Sequence, residues 1–302
     1  MRNPRPQPGV RAGRAGGRKR AGRAPVLFWL GAVLCAAAFA CTYYVFVRTA
    51  TGQFVDESAL AAAGSVWRPA RRLFLGFLNL IPNLSAALAA VVLLWVALAR
   101  RRRHAAAAAV GVVAASAASS WLLKNLLPDR PDLGIPTLAH NSLPSGHTTL
   151  AAAAALAVFL VVSPRWRPFS AAAGGLYAVL TGAATLVNGW HRPSDVVAAF
   201  LVAGFWTLLA GPLVLRAGEG WNVFGGYGSS WASSRWWPRL CWLLSLLGAA
   251  AAAGIYWFIA RTDPGAGALP LFFWAGAALI TATGMLLGAL LTWLFSLQSG
   301  RA

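Results

Sequence analysis

Eight long uncharged apolar runs constrain this chain more than any other feature. They fall at about 25–47, 73–99, 105–123, 148–164, 168–190, 196–215, 240–260 and 269–296. A bilayer-spanning helix needs roughly 20 such residues. Within the hydrocarbon every backbone N–H and C=O must be satisfied inside the segment, so each run reads as a helix. The run after His147 is the shortest and is rich in Ala. Hydrophobic residues make up 58% of the 302 and charged residues 11%, against about a quarter charged in an ordinary soluble domain. The expected fold class is an all-α membrane protein with about eight transmembrane helices.

The net charge of +19 raises nucleic acid as a partner, but the Arg clusters lie between apolar runs, where topology accounts for them. No nucleic-acid partner is therefore expected; the partner is the lipid bilayer. Residues 1–25 hold eight basic and no acidic residues among Gly, Ala and Pro, the composition of a disordered tail. With that tail in the cytoplasm, eighteen of the 26 Lys and Arg fall on inner segments. The eight on outer segments are Arg48, Arg68, Arg71, Arg72, Lys124, Arg130, Arg192 and Arg261. This bias agrees with eight spans in the plasma membrane and both ends inside. The rival reading of the first run is a signal peptide cleaved after Ala38-Phe39-Ala40. Against it, the run stays apolar through Val47 and the tail is long for such a peptide. Cys35, Cys41 and Cys241 all lie inside apolar runs, as small hydrophobes rather than metal ligands or a disulfide framework. The segment 217–239, rich in Gly, Ser and aromatics such as Trp221, Trp231 and Trp237, reads as an interfacial anchor.

Three short polar segments share the outer side in this topology. The first runs from Lys124 to Pro131, the second is Pro144-Ser145-Gly146-His147-Thr148-Thr149, and the third is His191-Arg192-Pro193-Ser194-Asp195. Ser145 is a good N-cap and Gly146 allows close backbone approach. A helix N-terminus suits an anion, and His147 in its first turn can give a proton to a leaving oxygen. A capped helix start with an incidental histidine explains that segment equally well when it is taken alone. His191 and Asp195 are four apart, and share a face if helical geometry reaches back to His191. A carboxylate on one ring nitrogen fixes the tautomer and raises basicity at the other, which makes His191 a candidate nucleophile. Such a pair alone is more often structural. Lys124 and Arg130 offer donors to phosphate oxygens, or else merely anchor a helix end. Only Lys19 and Lys124 are lysine, and Lys124 lies on the side poor in basic residues. The conjunction favours an anion site that stabilises transferring phosphate by electrostatics, with no metal or other cofactor expected.

Lys…Arg-Pro, Pro-Ser-Gly-His and His-x3-Asp in this order resemble the type 2 phosphatidic acid phosphatase family, similar in its site to vanadium haloperoxidases. The resemblance covers 124–195 in its motifs. It implies a six-helix core over about 26–216, with 217–302 adding the aromatic segment and two further spans. It implies that His191 attacks phosphorus and forms a phosphohistidine, that Asp195 orients it, and that His147 protonates the leaving group. Lys124, Arg130, Ser145 and Gly146 would hold the phosphate oxygens. The implied function is a metal-independent phosphatase acting on a lipid phosphate or polyprenyl pyrophosphate at the outer face. Two departures stand out. Five residues rather than six separate Lys124 from Arg130, and the family's Ser-Arg ahead of the third-motif histidine is Ala184-Thr185 here. Arg192 is the nearest cation that could substitute. The alternatives are a transferase, with a hydroxyl acceptor in place of water, and a non-catalytic membrane scaffold that lost turnover with the arginine.

Overall fold

The computed structural model describes residues 25–66, 71–136, 140–217, 221–262 and 265–301. The basic tail lies outside the described residues, as do Arg68 and Glu219. All eight apolar runs are helical. They form α1 (Val26–Arg48), α3 (Arg71–Leu98), α4 (Arg103–Leu126), α5 (Gly146–Val161), α6 (Arg167–Val187), α7 (Pro193–Ala217), α8 (Trp236–Thr262) and α9 (Leu269–Gln298). Among the described residues, six of these, α1, α4, α6, α7, α8 and α9, are long and apolar enough to cross a membrane. α5, with 16 residues, is shorter, and Ala86–Leu98 of α3 forms a further apolar helical stretch. The protein is an all-α, multi-pass membrane protein.

One further helix, α2 (Ala50–Val66), fills most of the segment that the sequence leaves as an outer connection. Its Ala-rich stretch favours helix, but its 17 residues include Asp56 and Glu57, so it carries no apolar run. Thr49 breaks the chain between α1 and α2 with extended backbone, and its Oγ accepts the Gly52 N–H at 3.1 Å. The turn is so tight that a Cβ on Gly52 would lie 1.9 Å from the Val45 carbonyl oxygen. α2 therefore folds back beside the end of α1 and packs on the turn between α8 and α9, where Ala59, Ala268 and Phe272 form a buried cluster.

α5 and α7 are the most enclosed helices, and their small residues explain how. Ala151 to Ala154 and Ala157 in α5, and Ala198, Ala199 and Ala203 in α7, are all buried. Small faces bring backbones close, which is the main source of helix association where lipid offers no hydrophobic drive. α9 joins the same core through Ile280, Met285 and Phe295. Near its N-terminal end, a Cβ on Gly276 would lie 2.5 Å from the Pro193 ring and 3.4 Å from Ala59 Cβ. α9 is thereby wedged against both α2 and the start of α7.

At the opposite end of the bundle, Phe169, Trp231 and Trp237 pack together with ring centroids 4.8–5.1 Å apart, Trp237 edge to face against the other two. The Arg102 guanidinium lies 3.9 Å from the centre of the Trp221 ring. Residues Val223–Phe224 and Gly300–Arg301 pair there as a two-residue parallel ladder.

Candidate functional site

The C-terminal ends of α1 and α4, the starts of α5 and α7 and the N-terminal half of α2 converge on one polar cluster, which has a buried floor and an accessible face. Each residue arrives by a separate local device. α6 stops at Asn188, and Gly189 takes φ +73°. Gly189 N–H then bonds the Leu186 carbonyl at 2.9 Å and Trp190 N–H the Thr185 carbonyl at 3.0 Å. This is the Schellman arrangement, in which a left-handed residue closes the last turn. It turns the chain so that His191 precedes α7 instead of lying on it.

Pro193 is the first residue of α7, so His191 is not helical. The expected pairing is made all the same: His191 Nδ1 lies 3.1 Å from Asp195 Oδ2. Asp195, third in the helix, also reaches back to the Arg192 N–H at 3.0 Å, half of a capping box. Ser142 donates its hydroxyl to the same Oδ2 at 2.8 Å. Asp195 is fully buried, and these three donors hold its carboxylate in one orientation. An ionised carboxylate only accepts, so His191 donates from Nδ1, and in the neutral ring this tautomer puts the free lone pair on Nε2.

Ser145 caps α5 as expected. Its Oγ accepts the Thr148 N–H at 3.4 Å and the Thr148 hydroxyl at 3.0 Å, and its own N–H donates to the Asp195 carbonyl at 2.9 Å. That last bond ties the starts of α5 and α7 together. Gly146 and His147 open the helix, and their N–H groups have no intrahelical acceptor. Lys124 Nζ lies 3.9 Å from where a Cβ on Gly146 would be, the sole atom within 4 Å. His147 is exposed, stacks against Trp190 with centroids 5.4 Å apart, and lies within electrostatic reach of His191 and Lys124. Lys124, Gly146, His147 and the half-buried His191 make up the accessible face.

The sequence groups Arg130 with Lys124, and the structure separates the two by depth. Arg130 is 4% exposed. Its Nη1 donates to the Phe46 carbonyl at 3.1 Å, and its Nη2 lies 3.6 Å from Asp56 Oδ2 and 4.0 Å from Asp195 Oδ1. Arg192 is also buried, with Nε 2.6 Å from Glu57 Oε2 and Nη1 2.9 Å from Ser142 Oγ. Thr185, where the family carries arginine, is wholly buried, and its hydroxyl donates to the Gly182 carbonyl. Among the described residues, Lys124 alone of these three cations has no carboxylate within ion-pair distance.

Asp56, Glu57 and Ser142 escaped the sequence reading, as did Ser194, which donates its hydroxyl and its N–H (3.0 Å) to Asp56. A signal was there: the chain has only seven acidic residues, and two of them are adjacent between the first two apolar runs. Asn141, also missed, ties the 127–145 loop by accepting the Leu143 N–H at 3.2 Å and donating its own N–H to Asp129 at 3.1 Å.

Burial pushes the Asp56 carboxyl up to about 7, and the Asp195 charge adds to this; Arg130 and the Ser194 bonds pull it back. A carboxyl raised on folding favours the folded state when protonated. That contribution is complete below about pH 4 and is lost as pH rises through about 7, and it corresponds to at most about 4 kcal/mol. Asp56→Asn removes the titrating proton, keeps the Ser194 N–H bond on its oxygen and can keep the hydroxyl contact with the direction reversed, the amide N–H donating to Ser194 Oγ. Plotted against pH, the wild-type stability relative to this variant is expected to fall between about pH 4 and pH 7; a flat difference would remove Asp56 as the titrating group.

Among the described residues no group of three His, Cys, Asp or Glu is placed to hold a metal ion. Residues 119–218 match the family model of the PAP2 superfamily, which covers all three polar segments and α5 to α7. Comparison with curated proteins and with solved structures returned no match. The PAP2 superfamily match points to a phosphatase-type function.

Proposed function

We propose that the PAP2 segment makes this protein an integral membrane phosphatase that hydrolyses a lipid phosphate or polyprenyl pyrophosphate at the outer membrane face, through a phosphohistidine. The observation that carries this reading is the His191–Asp195 pair at 3.1 Å, set beside Lys124 and the free N-terminus of α5. His191 Nε2 attacks phosphorus while its Nδ1–H stays on Asp195, so the positive charge that develops on the ring is balanced where it forms. His147 gives a proton to the departing oxygen. Lys124 and the Gly146 and His147 N–H groups meet the phosphate oxygens, with the helix dipole behind them. Water then attacks the phosphohistidine, His147 takes its proton, and the P–N bond breaks to release phosphate. Arg130 serves by balancing Asp195 and Asp56 from the floor.

A lipid substrate is favoured by an apolar groove of about 610 Å³ between α3, α4 and α5, lined by Leu93, Ala106, Val110 and Leu150 among others. Leu150 is less than one turn along α5 from His147, so a phosphate at the helix start can leave its chain in the groove. The test is phosphate release by the purified protein from phosphatidic acid, phosphatidylglycerol phosphate and polyprenyl pyrophosphate, with and without chelator. Release from at least one of them, unaffected by chelator, is expected. No release from any rejects the phosphatase reading, and headgroup exchange without free phosphate replaces it with a transferase.

A further inference from the structure

We infer that Arg192 is a positioning residue and not a stand-in for the missing phosphate-binding arginine: with Glu57 of α2 it orients Ser142 and, through it, the carboxylate that holds His191. The inference rests on the phosphohistidine reading above, and its starting point is the direction of the hydrogen bonds. A guanidinium only donates. Arg192 Nη1, 2.9 Å from Ser142 Oγ, therefore uses a lone pair of the hydroxyl and directs its proton elsewhere. The acceptor is Asp195 Oδ2, at 2.8 Å. Glu57 Oε2, 2.6 Å from Arg192 Nε, holds the guanidinium in place and balances its charge. The chain of bonds is Glu57, Arg192, Ser142, Asp195, His191, each member fixing the direction of the next.

The geometry also shows what would be lost without it. Asp195 Oδ1 lies 4.0 Å from Arg130, while Oδ2 carries the bonds to Ser142, Arg192 N–H and His191. If Ser142 turned away, rotation of the carboxylate towards Arg130 would compete with the His191 bond. Arg192 itself is 3% exposed, beneath a face on which His147 is open to solvent. To reach a phosphate there it would have to leave a charge-assisted bond, which is among the stronger contacts a side chain makes. Glu57 lies outside the matched segment 119–218, so a helix peripheral to the motifs sets the alignment of their nucleophile.

The test uses the full-length protein in detergent with 15N-labelled histidine, in the wild type and in Ser142→Ala, Arg192→Gln, Arg192→Lys and Glu57→Gln. Each variant is characterised by kcat and KM on whichever lipid phosphate the wild type hydrolyses, and by the His191 ring nitrogen shifts. Ser142→Ala and Arg192→Gln are expected to lower kcat about 10- to 100-fold, the cost of a small misplacement of a reacting group, with KM within about twofold. The Nδ1-protonated signal of His191 should weaken in both. Arg192→Lys, which keeps the charge on Glu57, should recover part of the loss, and Glu57→Gln should fall between. Arg192→Gln with KM raised tenfold or more, kcat retained and the His191 signal unchanged overturns the inference and makes Arg192 a phosphate ligand. If the wild type hydrolyses nothing, the phosphatase reading fails separately and the nitrogen shifts still decide: an unchanged His191 signal in Ser142→Ala, a variant that leaves no charge unpaired, rejects the relay.

Discussion

Replacing His191 with alanine is expected to lower phosphate release by at least about 10³-fold while leaving the protein folded. The size of the loss follows from the role proposed for it: without a nucleophile, a two-step route through a covalent intermediate is closed, and groups that act as a unit lose most of their effect when one is removed. The retained fold follows from the position. His191 lies before α7 rather than in it, its side chain is 12% exposed, and its recorded side-chain hydrogen bond is the one to Asp195. Asp195 would keep the Ser142 hydroxyl and the Arg192 N–H, so the buried carboxylate retains two donors on Oδ2. The measurements are initial rates of release and the thermal midpoint in the same detergent, with trapping of an acid-labile phosphoenzyme as a third. Release at the wild-type rate from His191→Ala would rule out this site as the catalyst.

Replacing Arg130 with methionine is expected to damage stability first. Arg130 is the cation between two fully buried carboxylates, 3.6 Å from Asp56 and 4.0 Å from Asp195, and it bonds the Phe46 carbonyl at the end of α1. Taking one partner out of a buried charge cluster commonly costs about 3–5 kcal/mol, because the remaining charge stays desolvated and uncompensated. Asp56 can respond by holding its proton, since its carboxyl is already pushed up to about 7. Asp195 instead keeps three donors on Oδ2, which favour its ionised form, so its charge is left without the Arg130 counter-ion. The expected result is a clearly lowered thermal midpoint, with whatever activity remains showing little change in KM. The opposite pattern, a native midpoint with KM raised tenfold or more, would return Arg130 to the phosphate-binding set that its motif suggests.

Much of the fold was legible in the sequence because lipid reduces the choices. Every apolar run became a helix, and the start of α5 at the Ser145 cap followed from local rules. The His191–Asp195 contact was anticipated from a four-residue spacing, yet it forms by a different route. Gly189 ends α6 by a left-handed turn and Asp195 caps α7 from its third position, so the two side chains meet without sharing a helix. Spacing found the right pair because a cap and a helical turn cover similar distances. α2 was missed because its 17 residues show neither an apolar run nor a recognised motif. What makes it part of the site is a tight return at Gly52 and a seat on the turn between α8 and α9.

The sequence by itself determined that the chain spans a membrane in helices and brings Lys124, Ser145, His147, His191 and Asp195 to one end of them. Those features depend on local composition, caps and spacing, which a single strand of text records. Only the tertiary structure decided how the charges divide. Arg130 and Arg192 have the residue type and the motif neighbourhood of phosphate ligands, but each faces a carboxylate of α2, more than sixty residues away in the chain. A cation's chemistry is set by the partner it meets, and that partner arrives through long-range packing. Lys124 and the open start of α5 remain at the accessible face as the groups free to receive an anion.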